Sequence, residues 1–259
     1  MRAIDHRAVI AWEAHLREHE CQQPATIRRR LSALSSLFSH LVRFGAAELN
    51  PVREIKRPEI NRREGKTLAF SRSQSRTILD APDPNTLIGL RDRAILSVGL
   101  QVGFRRSEIA NLRVRDLHQN RGFDSLWVTR KRNKRDSVAI HPQVARRLHD
   151  YLTAAGHGDD LGGPLFRPIR SNQRRHDPRR PLSSDTINRI SHKHARQAGL
   201  TRGYSAHSMR ATFITTALEN GASLEDVQRD VGHAEPSTTK LYDRRGHNPE
   251  RSASFFANY

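Results

Sequence analysis

The fold can be inferred from residues 204–242, which read YSAHSMRATFITTALENGASLEDVQRDVGHAEPSTTKLY. Apolar residues recur at helical spacing in SMRATFITTALENG, and its final glycine is a common helix stop. A second helix is predicted for LEDVQRDVG, because the serine before it and the aspartate three residues later form a capping box. A turn containing proline then leads to STTKLYDRR, a third and short helical segment. We therefore expect helices joined by short turns.

The same stretch carries four polar residues of the kinds that active sites use. His207 and Arg210 lie at the start of the first predicted helix, and His233 follows a glycine at the end of the second. Tyr242, one of only four tyrosines in the chain, lies in the third. Short turns between helices can bring these four side chains around one cavity.

The chain is strongly basic. Its 259 residues include 45 Lys and Arg against 27 Asp and Glu, which gives a net charge of +18 and a pI near 11.3. Nucleic acid is the leading candidate partner, and an anionic membrane surface is the rival. No apolar run approaches the ~20 residues of a membrane-spanning helix, and the N-terminus lacks a signal-peptide core. We expect a soluble cytosolic protein. The lone Cys21 excludes an intrachain disulfide and a cysteine-based zinc site, and we interpret it as a core residue.

Two lobes are predicted. Helical patterns over residues 9–16 and 26–45 indicate a small N-terminal lobe, residues 1–62. Residues 50–67, NPVREIKRPEINRREGKT, lose this periodicity and predict an extended linker. The remainder, residues 63–259, forms the second lobe.

The second lobe is predicted to be mainly helical with one β-hairpin. In residues 125–142, SLWVTRKRNKRDSVAIHP, apolar residues alternate on both sides of a basic tip, as in two paired strands. Residues 167–181 form a basic loop that either touches phosphates or is solvated. Helical patterns cover residues 73–81, 87–99, 107–117, 142–152 and 183–199. The expected fold class is therefore mainly α with a small β-hairpin or sheet (α+β).

Arginine, histidine and tyrosine together suit the cleavage of a phosphodiester by a side-chain oxygen. Arginine can neutralise the two non-bridging oxygens, because its planar fork binds phosphate bidentately. Histidine can handle protons near neutral pH. A tyrosine nucleophile conserves the bond energy as a phosphotyrosine, so a later hydroxyl can reverse the step without ATP. DNA strand exchange requires such reversibility.

From about Ile4 to Tyr242 the sequence resembles the tyrosine recombinases, also called the phage integrase family, and within it looks Xer-like. GLRDRAILSVGLQVGFRRSEIANLRVRDL is similar to the family's first box, and VTRKRNKRDSVAIHP to its hairpin Gly-Lys-Gly-Asn-Lys. HSMR matches His-x-x-Arg, and VGHAEPSTTKLY matches Leu-Gly-His followed by Ser/Thr-Thr-x-x-Tyr. The positions that correspond to the family's catalytic residues are Arg105, Lys131, His207, Arg210, His233 and Tyr242.

The resemblance implies a role for each of these positions. Tyr242 would attack the scissile phosphate and form a 3′-phosphotyrosyl link, freeing a 5′-hydroxyl. Arg105 and Arg210 would clamp the non-bridging oxygens, with a hydrogen bond from His233.

Proton transfer and support are implied in the same way. Lys131, at the hairpin tip, would protonate the leaving 5′ oxygen, and the nearby Lys134 would contact DNA. His207 would act as an acid/base or positioning group beside the nucleophile. Glu108 would brace the turn that carries the first arginine, and Asp116 would end its helix. No metal or nucleotide cofactor is implied.

In the resembled family two lobes clamp the DNA duplex, and a homo-tetramer assembles on two DNA sites. Arg28, Arg29 and Arg30 lie on the polar side of the long N-terminal helix, where they either meet phosphates or form a solvated face. The C-terminal SASFFANY, with Phe255, Phe256 and Tyr259, is expected to contact a neighbouring subunit or to pack on its own chain. We expect a bacterial or phage-type, nucleoid-associated enzyme, with a partner recombinase or accessory protein possible.

Two further expectations concern the N-terminal helix and two histidines outside the motifs. The N-terminal MRAIDHRAVIAWEAHL looks like the second helix of the family's DNA-binding lobe, so the first helix is expected to be missing. His192 and His194 point apart on one helix, and we expect both at the surface. Two alternatives stay open: a type IB topoisomerase-like protein that nicks and religates one duplex, and a non-catalytic DNA-binding relative.

Overall fold

The computed structural model describes residues 4–59, 67–130, 133–169, 180–200, 203–233 and 235–243. The chain forms two compact units, Met1–Arg63 and Glu64–Tyr259. Within the described residues, no helix has both the length and the apolar character needed to cross a membrane.

In its described residues, the first unit holds two helices, α1 (His6–Glu18) and α2 (Pro24–Arg43). A proline in the first turn of α2 suits a helix start, because that position has no intrahelical partner for an N–H. The helices bury Val9, Leu16, Ile27 and Leu31 against each other, together with Val52 from the segment that follows α2.

Two expectations for this unit are wrong. Val52 is buried in the core and Ile55 packs against it, so the beginning of residues 50–67 is packed into the first lobe rather than being an extended linker. Cys21 is exposed rather than a core residue, because it lies in the turn between α1 and α2 with a left-handed φ of 48°. Residues 60–66 of the predicted linker lie outside the described part of the chain.

The second unit is mainly helical, as expected. Its central helix, α4 (Leu87–Gln101), buries residues on all sides and packs against α6 (Pro142–Ala155) and α8 (Ala206–Glu219). The other helices are α3 (Arg72–Asp80), α5 (Arg106–Asn111), α7 (Ser184–Gln197), α9 (Leu224–Val231) and α10 (Pro236–Lys240). The predicted helices and the expected fold class are therefore confirmed, except at residues 107–117 and at Tyr242, which lies in the turn after α10 rather than in a helix.

The predicted hairpin is present and forms part of a three-stranded antiparallel sheet. The strands β1 (Leu117–Asn120), β2 (Phe123–Thr129) and β3 (Arg135–Ala139) are adjacent in chain order. Between α5 and β1 the chain forms only a short 3-10 helix, Val114–Asp116, so the single helix predicted there was wrong. The connection between β1 and β2 is a two-residue Arg-Gly loop with both φ values positive, which is the geometry of a tight hairpin turn.

A buried polar cluster corrects the expectation for His194. This histidine is 2% exposed, and its Nε2 lies 3.0 Å from Oδ2 of Asp92, whose other oxygen accepts a hydrogen bond of 2.8 Å from Arg91. Burial raises the pKa of Asp92, but the hydrogen bond from His194 and the charge of Arg91 outweigh it and hold that pKa below its usual value. His192 is exposed, as expected.

Candidate active site

Arg105 lies at the turn between α4 and α5. It is the N-cap of α5, and Glu108 in the first turn of that helix accepts hydrogen bonds from its backbone N–H (2.7 Å) and from Nη1 (2.6 Å). The side chain of Glu108 is 6% exposed and that of Arg105 is 33% exposed. Glu108 therefore holds the guanidinium while part of it still faces solvent.

Arg210 projects from the first turns of α8 and is 1% exposed. Its Nη1 donates to the carbonyl of Gly103 (2.7 Å), and its Nη2 donates to the carbonyl of Val231 (2.6 Å). Arg105 reaches that second carbonyl as well, at 3.4 Å. The C-terminal carbonyls of α9 carry the negative end of a helix dipole, so they can hold two guanidinium groups side by side.

His233 follows the C-cap of α9. That cap is Gly232, whose left-handed φ of 63° turns the chain sharply after the helix. The Nδ1 of His233 lies 2.9 Å from the hydroxyl of Thr239 in α10, and its ring lies 6.4 Å from the ring of Tyr242 at an interplanar angle of 20°. The turn thus places the imidazole beside the phenol.

Tyr242 lies in the turn directly after α10, with its N–H bonded to the carbonyl of Thr239 (3.0 Å). Its hydroxyl lies 3.4 Å from Nε2 of His207, which is in the first turn of α8. The backbone carbonyl of Tyr242 accepts a hydrogen bond from Thr215 on the same helix. Helix α8 therefore contacts the tyrosine at its hydroxyl and at its backbone.

The electrostatics of this cluster favour neutral imidazoles. Desolvation, followed by the charges of Arg210 and Arg105, lowers the pKa of His207, and the same causes lower the pKa of His233 to about 3. Burial and the neighbouring Arg105 lower the pKa of Arg210 to about 9. Burial is the main cause of all three shifts, and the charges of neighbouring guanidinium groups add to it.

The structure brings five of the six expected catalytic positions together, and the sixth, Lys131, lies outside the described residues. Lys134 is exposed and forms an ion pair of 3.2 Å with Asp136. Asp116 is the last residue of the 3-10 helix rather than of the predicted longer helix, and its side chain accepts from the backbone N–H of Arg113.

The three arginines of α2 that were expected to bind DNA differ in their surroundings. Arg28 donates to the carbonyl of Pro58 (3.4 Å), and Arg30 forms an ion pair of 3.1 Å with Glu20. Arg29 is exposed.

Sequence reasoning missed Arg130. Its side chain is 5% exposed and donates to Glu108 (3.0 Å) and to the carbonyl of Val231 (3.3 Å). The sequence did contain a signal for this residue, because Arg130 occupies the position at which the family's hairpin pattern Gly-Lys-Gly-Asn-Lys has its first glycine. The described residues hold no cluster of His, Cys, Asp and Glu that could bind a metal.

Sequence comparisons identify relatives of the chain. Residues 69–248 match the model of the phage integrase family. Tyrosine recombinase XerC of Pelobacter propionicus is 31% identical over 214 residues, which cover 83% of this chain and 67% of that protein. Tyrosine recombinase XerD of Lacticaseibacillus casei is 30% identical over 225 residues, which cover 87% of this chain and 74% of that protein.

Solved structures share the fold at lower identity. The XerH site-specific recombinase bound to difH substrate, a pre-cleavage complex, aligns with a TM-score of 0.70 at 17% identity and covers 98% of this chain and 70% of its own. A lambda integrase tetramer bound to a Holliday junction aligns with a TM-score of 0.67 at 15% identity. The alignment covers 91% of this chain and 66% of the integrase chain. The family model covers most of the second unit, and this chain belongs to the phage integrase family.

Proposed function

We propose that the chain is a site-specific DNA recombinase that cleaves and rejoins duplex DNA through a 3′-phosphotyrosyl intermediate. One observation carries this conclusion. The hydroxyl of Tyr242 lies 3.4 Å from an imidazole nitrogen of His207, beside the paired guanidinium groups of Arg105 and Arg210. The relatives named tyrosine recombinases support the same reaction.

The arginine pair is suited to the charge of a phosphodiester. Arg105 and Arg130 both donate to the carboxylate of Glu108, and Arg210 lies near the same group, so positive charge exceeds negative charge around Glu108. A phosphate oxygen supplies the missing negative charge, and charge that develops in the transition state is stabilised most where water is excluded. The side chain of Arg105 is 33% exposed whereas Arg210 is buried, so a phosphate arriving from solvent can contact Arg105 directly.

Proton transfer begins at the tyrosine. A neutral His207 can accept the phenolic proton as the tyrosine oxygen forms a bond to phosphorus, because its lowered pKa keeps it unprotonated at neutral pH. The bond to the 5′ oxygen breaks, and that oxygen takes a proton, for which Lys131 is the proposed donor on the basis of the family resemblance. In the reverse step a 5′-hydroxyl attacks the phosphotyrosine and releases Tyr242.

The lobes and the assembly are assigned in the same way. We assign residues 1–62 to DNA binding, with Arg29 as the exposed residue among Arg28, Arg29 and Arg30, and residues 63–259 to catalysis. A homo-tetramer on two DNA sites is supported by the lambda integrase tetramer that shares the fold. The C-terminal residues 252–259, which lie outside the described part of the chain, are proposed to contact a neighbouring subunit. The enzyme would act on DNA in the cytoplasm, in association with the nucleoid.

The test is covalent trapping. A target site is selected from random-sequence duplexes, and a nicked duplex of that sequence is incubated with the protein, so that a short fragment diffuses away after cleavage. A denaturing gel should show a protein–DNA adduct, which Tyr242→Phe should lose while it still binds the duplex. Tyr204→Phe is the matched control, because that ring stacks on Phe70 outside the site, and it should keep the adduct.

The alternatives give different outcomes. A protein that binds the selected site and never forms the adduct is a non-catalytic DNA-binding relative. Relaxation of supercoiled plasmid by a monomer, without paired sites, identifies the topoisomerase-like reaction. An adduct that persists in Tyr242→Phe would show that another residue is the nucleophile.

A further inference from the structure

We propose that Arg130 is a positioning residue that holds Arg105 and the Gly232–His233 turn in place, and thereby sets how well the site neutralises the scissile phosphate. The inference rests on the function proposed above. Arg130 is buried and directly precedes the hairpin tip. At this position the family's hairpin pattern has glycine.

Arg130 shares a carboxylate with Arg105. The Oε2 atom of Glu108 accepts from Nη1 of Arg130 (3.0 Å) and from the backbone N–H of Arg105 (2.7 Å). The Oε1 atom accepts from Nη1 of Arg105 (2.6 Å). Both oxygens of Glu108 are thus engaged, and the carboxylate cannot rotate without breaking a contact to one of the two arginines.

Arg130 also holds the end of α9. Its Nη1 donates to the carbonyl of Val231 (3.3 Å), and its Nη2 donates to the carbonyl of Asp230. The first of these carbonyls is the one that Arg105 and Arg210 also reach. The next two residues along the chain are Gly232 and His233, so the position of this helix end sets the position of the imidazole.

The other contacts of Arg130 fix its own place. Its backbone N–H donates to the carbonyl of Lys134 (2.6 Å) at the base of the hairpin tip, and its Nε lies 3.6 Å from Oδ2 of Asp136. Its guanidinium carbon lies 5.2 Å from the centre of the Phe104 ring. One planar, five-donor side chain therefore joins β2, the start of α5 and the end of α9.

The test compares two scissile groups in the trapping assay described above. One is the ordinary phosphodiester, and the other is a methylphosphonate, in which a methyl group replaces a non-bridging oxygen and removes its charge. Arg130→Ala should slow single-turnover cleavage of the phosphodiester by about 10²-fold, the usual effect of misplacing a reacting group by ~1 Å. On the methylphosphonate the loss should be below about 10-fold, because less charge must be neutralised.

Two variants keep this test decisive. Arg91→Ala is the matched control: Arg91 is also buried and donates to a carboxylate, that of Asp92, in the cluster beside α7. Its effect on cleavage should be the same for both substrates, because it acts through folding alone. If the alanine variant does not fold, Arg130→Lys is measured in its place on the same two substrates. Lysine lacks the planar fork, so the same preference for the methylphosphonate should appear in weaker form.

The outcomes are separable. Equal losses on both substrates, or wild-type rates in Arg130→Ala or Arg130→Lys, overturn the positioning role. Trapping of the wild-type protein is measured first. If the wild type forms no adduct on the phosphodiester, the proposed function fails, and that result is distinct from an unchanged ratio between the two substrates in Arg130→Ala.

Discussion

Replacement of Gly232 by alanine tests how tightly the site is assembled around Arg130. A Cβ on Gly232 would lie 2.7 Å from Nε, 2.9 Å from Cδ and 3.1 Å from Cζ of Arg130. Gly156, the C-cap of α6, has the same φ of 63°, and nothing lies within 4 Å of a Cβ built there. The two glycines are therefore a matched pair that differ in their surroundings.

The expected magnitudes follow from these distances. An L-residue in the left-handed conformation costs about 1–2 kcal/mol, and Gly156→Ala should lose only this amount. Gly232→Ala should lose about 1–3 kcal/mol more, the usual cost of forcing extra atoms into a packed site. Arg130 cannot simply swing aside, because its guanidinium is bonded to Glu108 and to the α9 carbonyls.

Urea denaturation measures the free energy of unfolding of both variants, and the trapping assay measures cleavage. Gly232→Ala should unfold at lower urea and cleave more slowly, whereas Gly156→Ala should cleave like the wild type. The double variant Gly232→Ala/Arg130→Ala should lose less stability than the sum of the single losses, since the collision is then absent. Equal losses for the two glycines, with cleavage retained in both, would refute the reasoning.

Three further predictions concern stability and DNA affinity. Asp92→Asn should lower the free energy of unfolding, measured by urea denaturation, by about 3–5 kcal/mol, because it breaks a buried ion pair. Asp80→Asn, in a more exposed pair, should lower it by less than about 1 kcal/mol. Equal losses for the two variants would contradict this prediction. Because the pKa of His233 is about 3 when folded and near 6.5 when unfolded, stability should fall as pH decreases from 6.5 towards 3, and His233→Gln should flatten that slope; an unchanged slope would count against the lowered pKa. If six to ten phosphates are contacted, anisotropy titrations should show DNA affinity dropping ~10³- to 10⁵-fold between 50 and 200 mM salt; a nearly flat dependence would exclude such an interface.

Local sequence patterns predicted most helices and one hairpin, because helical and strand periodicities repeat over a few residues. The stretch that contains α8, α9 and α10 is the clearest case, since apolar spacing, a capping serine and glycine stops all agree there. The strand β1 was not predicted, because it is only four residues long and its pairing depends on the Arg-Gly turn that follows. Motif spacing also selected Arg105, His207, Arg210, His233 and Tyr242, which the structure brings together.

The sequence by itself determined the helical class, the basic character and the residue types of the candidate site. Only the tertiary structure decided which of these groups are buried and what they contact. His194 pairs with Asp92 and Arg130 reaches Val231 across about a hundred residues of chain, so no local pattern could reveal either contact. The physical reason is that periodicity reports which face of one element is apolar, whereas burial of a charge depends on partners that distant segments supply.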